Sequence, residues 1–299
     1  MDFTEFTEEI RRLISERNDR MDISIQTVRK NNSVLYTGLT VRGMSNTSAP
    51  IIYLEPYYRM FRDTSDMDRV ADEIIRVYQQ NTFQFNPDFI IDVDIIKDRI
   101  VYQVINEHRN KDFLIEVPHR SLIDDIAVTY KILLDHNGDD MSASIRIDNS
   151  LMDLWSASEE MLWTYAKKNT NMLQKPVYIG LDDLIIGMRS GQQLLSGMVT
   201  KGEPFDAGIR MFVATNEGKV NGASVMADKG FMKKLHSEIG DFYIIPSSIH
   251  EIIAVPTTEV FDVDMLYKMV IEVNSTSVSE EDYLSDTVYS YDGNVITVA

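Results

Sequence analysis

The sequence contains no cysteine among its 299 residues. That excludes disulfides, thiolate metal sites and a cysteine nucleophile, and it suits a reducing cytoplasm. Histidine is scarce as well. His108, His119, His136, His236 and His250 are the whole set, and none stands in a His-Glu-x-x-His or other close ligand spacing, so no metal is expected. Base is in deficit, with 29 Lys and Arg against 47 Asp and Glu, for a net charge of −18. Such a surface repels phosphates, which argues against direct binding to nucleic acid or to anionic membranes. No apolar run approaches the roughly 18 residues a membrane helix requires. The first residues, Met1 to Phe6, lack the basic-then-apolar pattern of a secretory signal. Neither of the common glycine-rich phosphate loops occurs, and no cofactor is expected.

What is present supports a sizeable core. Apolar residues make up 44% of the chain and are spread along it, which excludes a disordered protein. Phe3, Phe6, Ile10, Leu13 and Ile14 recur at helical spacing. Ile23 to Val28 and Val34 to Val41 alternate as a hairpin around Lys30-Asn-Asn-Ser33. Ser65 with Asp68 reads as a capping box before a helical stripe from Met67 to Tyr78. The spacing of Ile95, Ile96, Ile100, Val101, Val104 and Ile105 predicts a helix from about Asp92 to His108. Asn110-Lys-Asp112 breaks the pattern and marks a boundary between lobes at 1–110 and 111–299, with a single domain as the alternative. Phe113 to Pro118, Asp125 to Leu134, Ile209 to Thr215 and Ala223 to Met226 read as strands. Asp228 opens a helix that Gly240 stops, and Asp262 to Val273 forms another with Val263, Leu266, Met269 and Val270 inward. The fold class expected is α+β, antiparallel-rich sheets with packed helices. Ala143–Met152 and Ala223–Met232 echo each other, which raises the option of two related strand-turn-helix units.

One stretch concentrates polar chemistry. Tyr243 to Pro256 reads as two buried strands flanking Pro246-Ser-Ser-Ile-His-Glu251. Ser247 or Ser248 supplies a nucleophile type, His250 a base and Glu251 a carboxylate, the types a serine hydrolase needs. Strand alternation places Ser248 and His250 on one face and Glu251 on the other, so His119 or Asp124 would have to complete a triad in space. The leading reading of the stretch is structural, with the hydroxyls satisfying backbone groups at a bend, and a non-catalytic binding site is a further alternative. The adjacent acids Asp124-Asp125 and Asp182-Asp183 fit an exposed face. From Glu251 to Ala299 ten acids face one base, Lys268, a net of −9. That segment fits a solubilising surface first, with a face for a basic partner or a nucleic-acid mimic as the alternatives.

Several motifs occur together in order: Ile51-Ile-Tyr-Leu-Glu55, Val117-Pro-His119, Asn221-Gly-Ala-Ser224, Ile245-Pro-Ser-Ser-Ile-His-Glu251, Ile271-Glu-Val-Asn274 and Leu284-Ser-Asp-Thr-Val-Tyr289. In these the chain resembles an uncharacterised bacterial family, domain of unknown function 5688. The resemblance implies a cytoplasmic bacterial protein of Firmicutes type with a link to mobile elements. It implies no activity. The function expected is therefore non-enzymatic binding of a macromolecular partner, a protein, with a Ser/His hydrolase or an acidic inhibitor as alternatives.

Overall fold

A computed structural model describes residues 1–17, 21–43, 51–81, 87–134, 144–190, 210–246, 248–259 and 262–299. It divides into two units, Met1–Ile90 and Ile91–Ala299.

In the first unit the amphipathic α1 (Phe3–Arg17) precedes an antiparallel sheet of β1 (Met21–Arg29), β2 (Leu35–Gly43) and β3 (Ile51–Tyr53). Two helices follow, α2 (Glu55–Thr64) and α3 (Met67–Asn81). Phe6, Ile10 and Ile14 of α1 meet Leu39, Val41 and Ile52 of the sheet and Val70, Ala71, Ile74 and Tyr78 of α3 in one buried core. These are the stripes the sequence displays. Ser65 does not cap α3 as expected. It closes α2 in the left-handed region (φ 54°), and Asp66 accepts from the Arg69 N–H at the start of α3 instead.

The second unit opens with the short α4 (Val93–Ile96) and then β4 (Ile100–Asn106). The helix expected to reach His108 therefore gives way to a strand. Every residue of β4 pairs with β6, from Ile100↔Ile132 to Asn106↔Ile126. An isoleucine- and valine-rich run buried on both sides carries no period that separates helix from strand, and the β-branched residues settle here in the sheet. The division into units falls at 90/91, and β4 belongs to the sheet that follows it.

Next come α5 (Lys111–Glu116), β5 (His119–Ile123), β6 (Ile126–Leu133), β7 (Ser144–Arg146), α6 (Asn149–Trp155) and α7 (Glu159–Leu173). Residues 113–116, expected as a strand, lie in α5. Leu114 and Val117 are buried against Ile105 and Ala127 on one face of the sheet. The other face meets α7: Tyr102 packs on Trp163 at 5.4 Å between ring centroids. β4 is an edge strand, and α7 covers that edge. Thr170 Oγ1 accepts from the Tyr102 N–H at 3.0 Å, and Asn169 Nδ2 donates to the Ile100 carbonyl at 2.9 Å. Buried polar side chains on α7 thus take up strand groups that have no ladder partner.

The chain continues through β8 (Pro176–Gly180), α8 (Leu181–Ser190), β9 (Phe212–Asn216), a 3₁₀ segment at Gly222–Ala227 and α9 (Lys229–Ile239). It ends with β10 (Phe242–Ile245), β11 (Ile252–Pro256), α10 (Val263–Thr276), β12 (Tyr289–Tyr291) and β13 (Ile296–Val298). Six strands form one antiparallel sheet in the order β13-β12-β10-β11-β9-β8. Asp228 caps α9 through the Gly230 and Phe231 N–H groups, and Gly240 ends it at φ 76°, as the sequence predicts. The return strand expected at 223–226 is the 3₁₀ segment. The echo with Ala143–Met152 is therefore not a repeated structure, since β7 stands in one copy and 3₁₀ in the other.

The architecture is α+β, with three antiparallel sheets among the described residues.

Candidate functional site

The polar stretch forms the link between β10 and β11, which pair antiparallel from Phe242↔Pro256 to Ile245↔Ile253. Ser247 lies outside the described residues. Ser248 is 6% exposed. Its hydroxyl donates to Glu251 Oε1 at 2.8 Å and accepts from the His250 backbone N–H at 3.0 Å. The link bends, so the alternation that should have separated Ser248 from Glu251 does not hold, and the serine meets the carboxylate.

The His250 ring points elsewhere. Its Nδ1 accepts from the Asn221 backbone N–H at 3.2 Å, and its Nε2 lies 3.0 Å from Asp282 Oδ1. A backbone N–H can only donate, so Nδ1 carries no proton. The proton sits on Nε2 and is given to Asp282. Asp282 is fixed in turn by Ser279, whose hydroxyl donates to Oδ2 at 2.7 Å and accepts from the Asp282 N–H at 3.2 Å. Residues 279–282 thus form a capped turn.

Backbone bonds draw three segments together. The Ala223 N–H donates to the Ile249 carbonyl at 3.1 Å, and the Ile249 N–H to the Asp282 carbonyl at 2.8 Å. Thr215 Oγ1 on β9 donates to the His250 carbonyl at 2.7 Å. Gly222 sits where Thr215, Asn216 and the His250 carbonyl converge, and a Cβ there would collide with all three. Only glycine permits so close an approach.

Both ring nitrogens of His250 are occupied, and the Ser248 proton is directed at Glu251. The His250 imidazole is not aimed at the hydroxyl, so the Ser–His contact that a serine hydrolase of this kind needs is not formed here. His119 is not gathered into the cluster. It lies exposed on β5 in the other sheet, where Nδ1 is 3.0 Å from the Val117 carbonyl.

A second polar cluster went unanticipated. Asp125, expected on an exposed face, is 7% exposed. Its Oδ2 accepts from Asn106 Nδ2 at 2.9 Å, and its Oδ1 accepts from Ser285 Oγ at 3.0 Å and from the Tyr289 hydroxyl. Asn106 also donates to the Leu284 carbonyl at 2.8 Å, and Arg109 stacks over the Tyr283 ring at 3.6 Å. Burial first, then the Asp125 bond, pushes the Tyr289 phenol well above its usual range. Asn274 of α10 holds the same segment, donating to the Ser285 carbonyl at 3.0 Å and to Asp286 at 2.8 Å. Residues 279–291 therefore join β4 and β6 on one side to the β10–β11 link on the other. The signal for Asp125 was there: a carboxylate heading a strand whose next residues, Ile126 to Val128, are all apolar.

The segments that converge here carry the sequence motifs around Asn221, Ser248, Asn274 and Ser285. A family profile matches residues 3–293, nearly the whole length.

The chain belongs to DUF5688, a family of unknown function. No curated protein and no solved structure matches it. Among the described residues of this DUF5688 chain, no group of three or more His, Asp or Glu is placed to hold a metal. No described helix is long and apolar enough to cross a membrane.

Proposed function

We propose that the chain is a non-catalytic binding protein that engages a protein partner through one face of α10. The carrying observation is the exposure of that face. Met265, Met269 and Val273 are 57%, 36% and 39% exposed. They stand at i, i+4 and i+8 and so form one apolar stripe. Met269, expected inward, lies on it, while Leu266 and Val270 anchor the helix to the core. Glu272, Lys268 and Asp264 flank the stripe on one side, in a segment, residues 251–299, with ten acids and one base. Apolar helical stripes of this kind fit grooves on other proteins, and the net negative charge of the segment favours a groove with a basic rim. The absence of cysteine suits a reducing compartment such as the cytoplasm. The hydrolase alternative has against it the occupied His250 nitrogens and the Ser248 bond to Glu251.

A photo-crosslinking residue at position 269, in the native host, is expected to trap a discrete adduct that one at Lys168 on α7 does not. Met265→Glu with Met269→Glu should weaken that complex by about tenfold or more, on the order of 1.4 kcal/mol, and raised salt should weaken it further. Equal trapping at positions 269 and 168 would refute the assignment.

A further inference from the structure

Lys131 lies in the middle of β6 and is only 7% exposed. Among the described residues it has no hydrogen-bond or ion-pair partner. Its cross-strand neighbours are Val101 on β4 and Arg146 on β7. Arg146 is exposed, and its guanidinium lies over the Phe113 ring at 5.4 Å. It too has no carboxylate partner among the described residues. Two cations thus face each other across a ladder in a chain with 47 acids and 29 bases. Like charges directly opposed destabilise a sheet, and a buried charge without a counter-charge costs more. On the same face, two residues along, Thr129 pairs with Gln103 on β4 and His119 on β5. The Thr129 hydroxyl accepts from Gln103 Nε2 at 3.3 Å, which leaves its own proton to donate.

We infer that this face binds a tetrahedral oxyanion of the phosphate class, with Lys131 as the buried cation, Arg146 as the fork at the entrance and Thr129 as a neutral donor. The ligand supplies the negative charge that no described residue offers Lys131. Guanidinium and ammonium groups with a hydroxyl are the donor types that phosphate oxygens take. Burial lowers the Lys131 ammonium to about 8, with no charged neighbour contributing. An anion beside it would favour the charged form and raise it again. At pH 7 the side chain is therefore mostly protonated and ready for an anion.

The test is calorimetry with inorganic phosphate on the full chain, with phosphoserine as a second arm. Saturable binding is expected at pH 7. Above pH 8 it should weaken toward tenfold per pH unit as Lys131 loses its proton, since phosphate is already a dianion there. Tighter binding of phosphoserine would assign the site to a phosphoryl group on a larger molecule, and equal binding to the free anion. Lys131→Met should raise the melting temperature without phosphate, because it removes an uncompensated buried charge, and should weaken binding at least about tenfold. Arg146→Gln, at an exposed position, should weaken binding about tenfold with little change in melting temperature, because relief of the charge opposed to Lys131 offsets the lost contact with Phe113. Absence of saturable binding by the native chain, or unchanged affinity in either variant, overturns the assignment. A lower melting temperature for Lys131→Met without phosphate also counts against it, because it would give Lys131 a structural role.

Discussion

Asp125→Ala should cost the second unit about 3–5 kcal/mol of stability, because it leaves several buried donors without their acceptor at about 1–3 kcal/mol each. Asp125 is 7% exposed and Ser285 is fully buried. The carboxylate accepts from Asn106, Ser285 and Tyr289. Alanine would strand these donors together, and a stranded buried donor costs about 1–3 kcal/mol. Some relief comes from Ser285 and Tyr289, whose hydroxyls already lie 3.3 Å apart. Asp125→Asn should cost less, about 1–3 kcal/mol, because the amide oxygen can still accept from both hydroxyls while its NH₂ meets the Asn106 NH₂. Tyr289→Phe should fall near 1 kcal/mol, the value of one ordinary bond. Urea denaturation followed by far-UV circular dichroism gives all three. The order Ala, then Asn, then Phe is the expected one. A cost below about 1 kcal/mol for Asp125→Ala would mean that the cluster does not hold the C-terminal segment to β4 and β6.

Gly222→Ala should cost about 2–4 kcal/mol, combining overpacking with the loss of a hydrogen bond. The added methyl would meet Thr215 Oγ1, the His250 carbonyl and, at 2.9 Å, the Asn216 N–H. Two of these are backbone atoms in a strand and a fixed bend, which cannot swing aside. To admit the methyl, the bond from Thr215 to the His250 carbonyl must break. The Asn221 N–H would then draw away from His250 Nδ1. Nitrogen NMR of the imidazole reads this directly. The native protein should show the tautomer protonated at Nε2, and Gly222→Ala a mixture of both. Gly218→Ala is the control, because its nearest neighbour is Asn216 Oδ1 at 3.6 Å, an ordinary contact. Its effect should stay within about 0.5 kcal/mol. Equal effects at 218 and 222 would dismiss the close-approach argument.

The two polar clusters differed in how far the sequence revealed them. Ser248, His250 and Glu251 stood out because polar residues interrupted an apolar run. Their partners did not: Asn221 and Asp282 lie about thirty residues away on either side, and nothing in local spacing couples them to His250. Alternation also misled, since it holds along an extended strand and fails once the chain bends. Asp125 was hidden by its neighbour. Asp124 turns through the left-handed region at φ 43°, which sends two consecutive acids into different surroundings.

Elements with one clean period were legible. α1, α3, the β1–β2 hairpin, the β10–β11 pair and α9 with its Asp228 cap and Gly240 stop all follow from side-chain spacing and turn chemistry. Apolar runs without a period were not. Residues 100–106 became a strand because β6 was there to pair with them, while residues 113–116 became helical over Ile105 and Ala127.

By itself, then, the sequence determined an acidic, cysteine-free α+β chain, the identity of its amphipathic elements and the family to which it belongs. Tertiary structure decided which polar residues meet. Hydrogen bonds between segments far apart in the chain turned His250 toward Asp282 and buried Asp125 beneath Ser285 and Tyr289. The bend between β10 and β11 turned Ser248 toward Glu251, and Lys131 lies inside the sheet with no counter-charge among the described residues. Burial and pairing are properties of neighbours in space, and local periodicity carries no record of them.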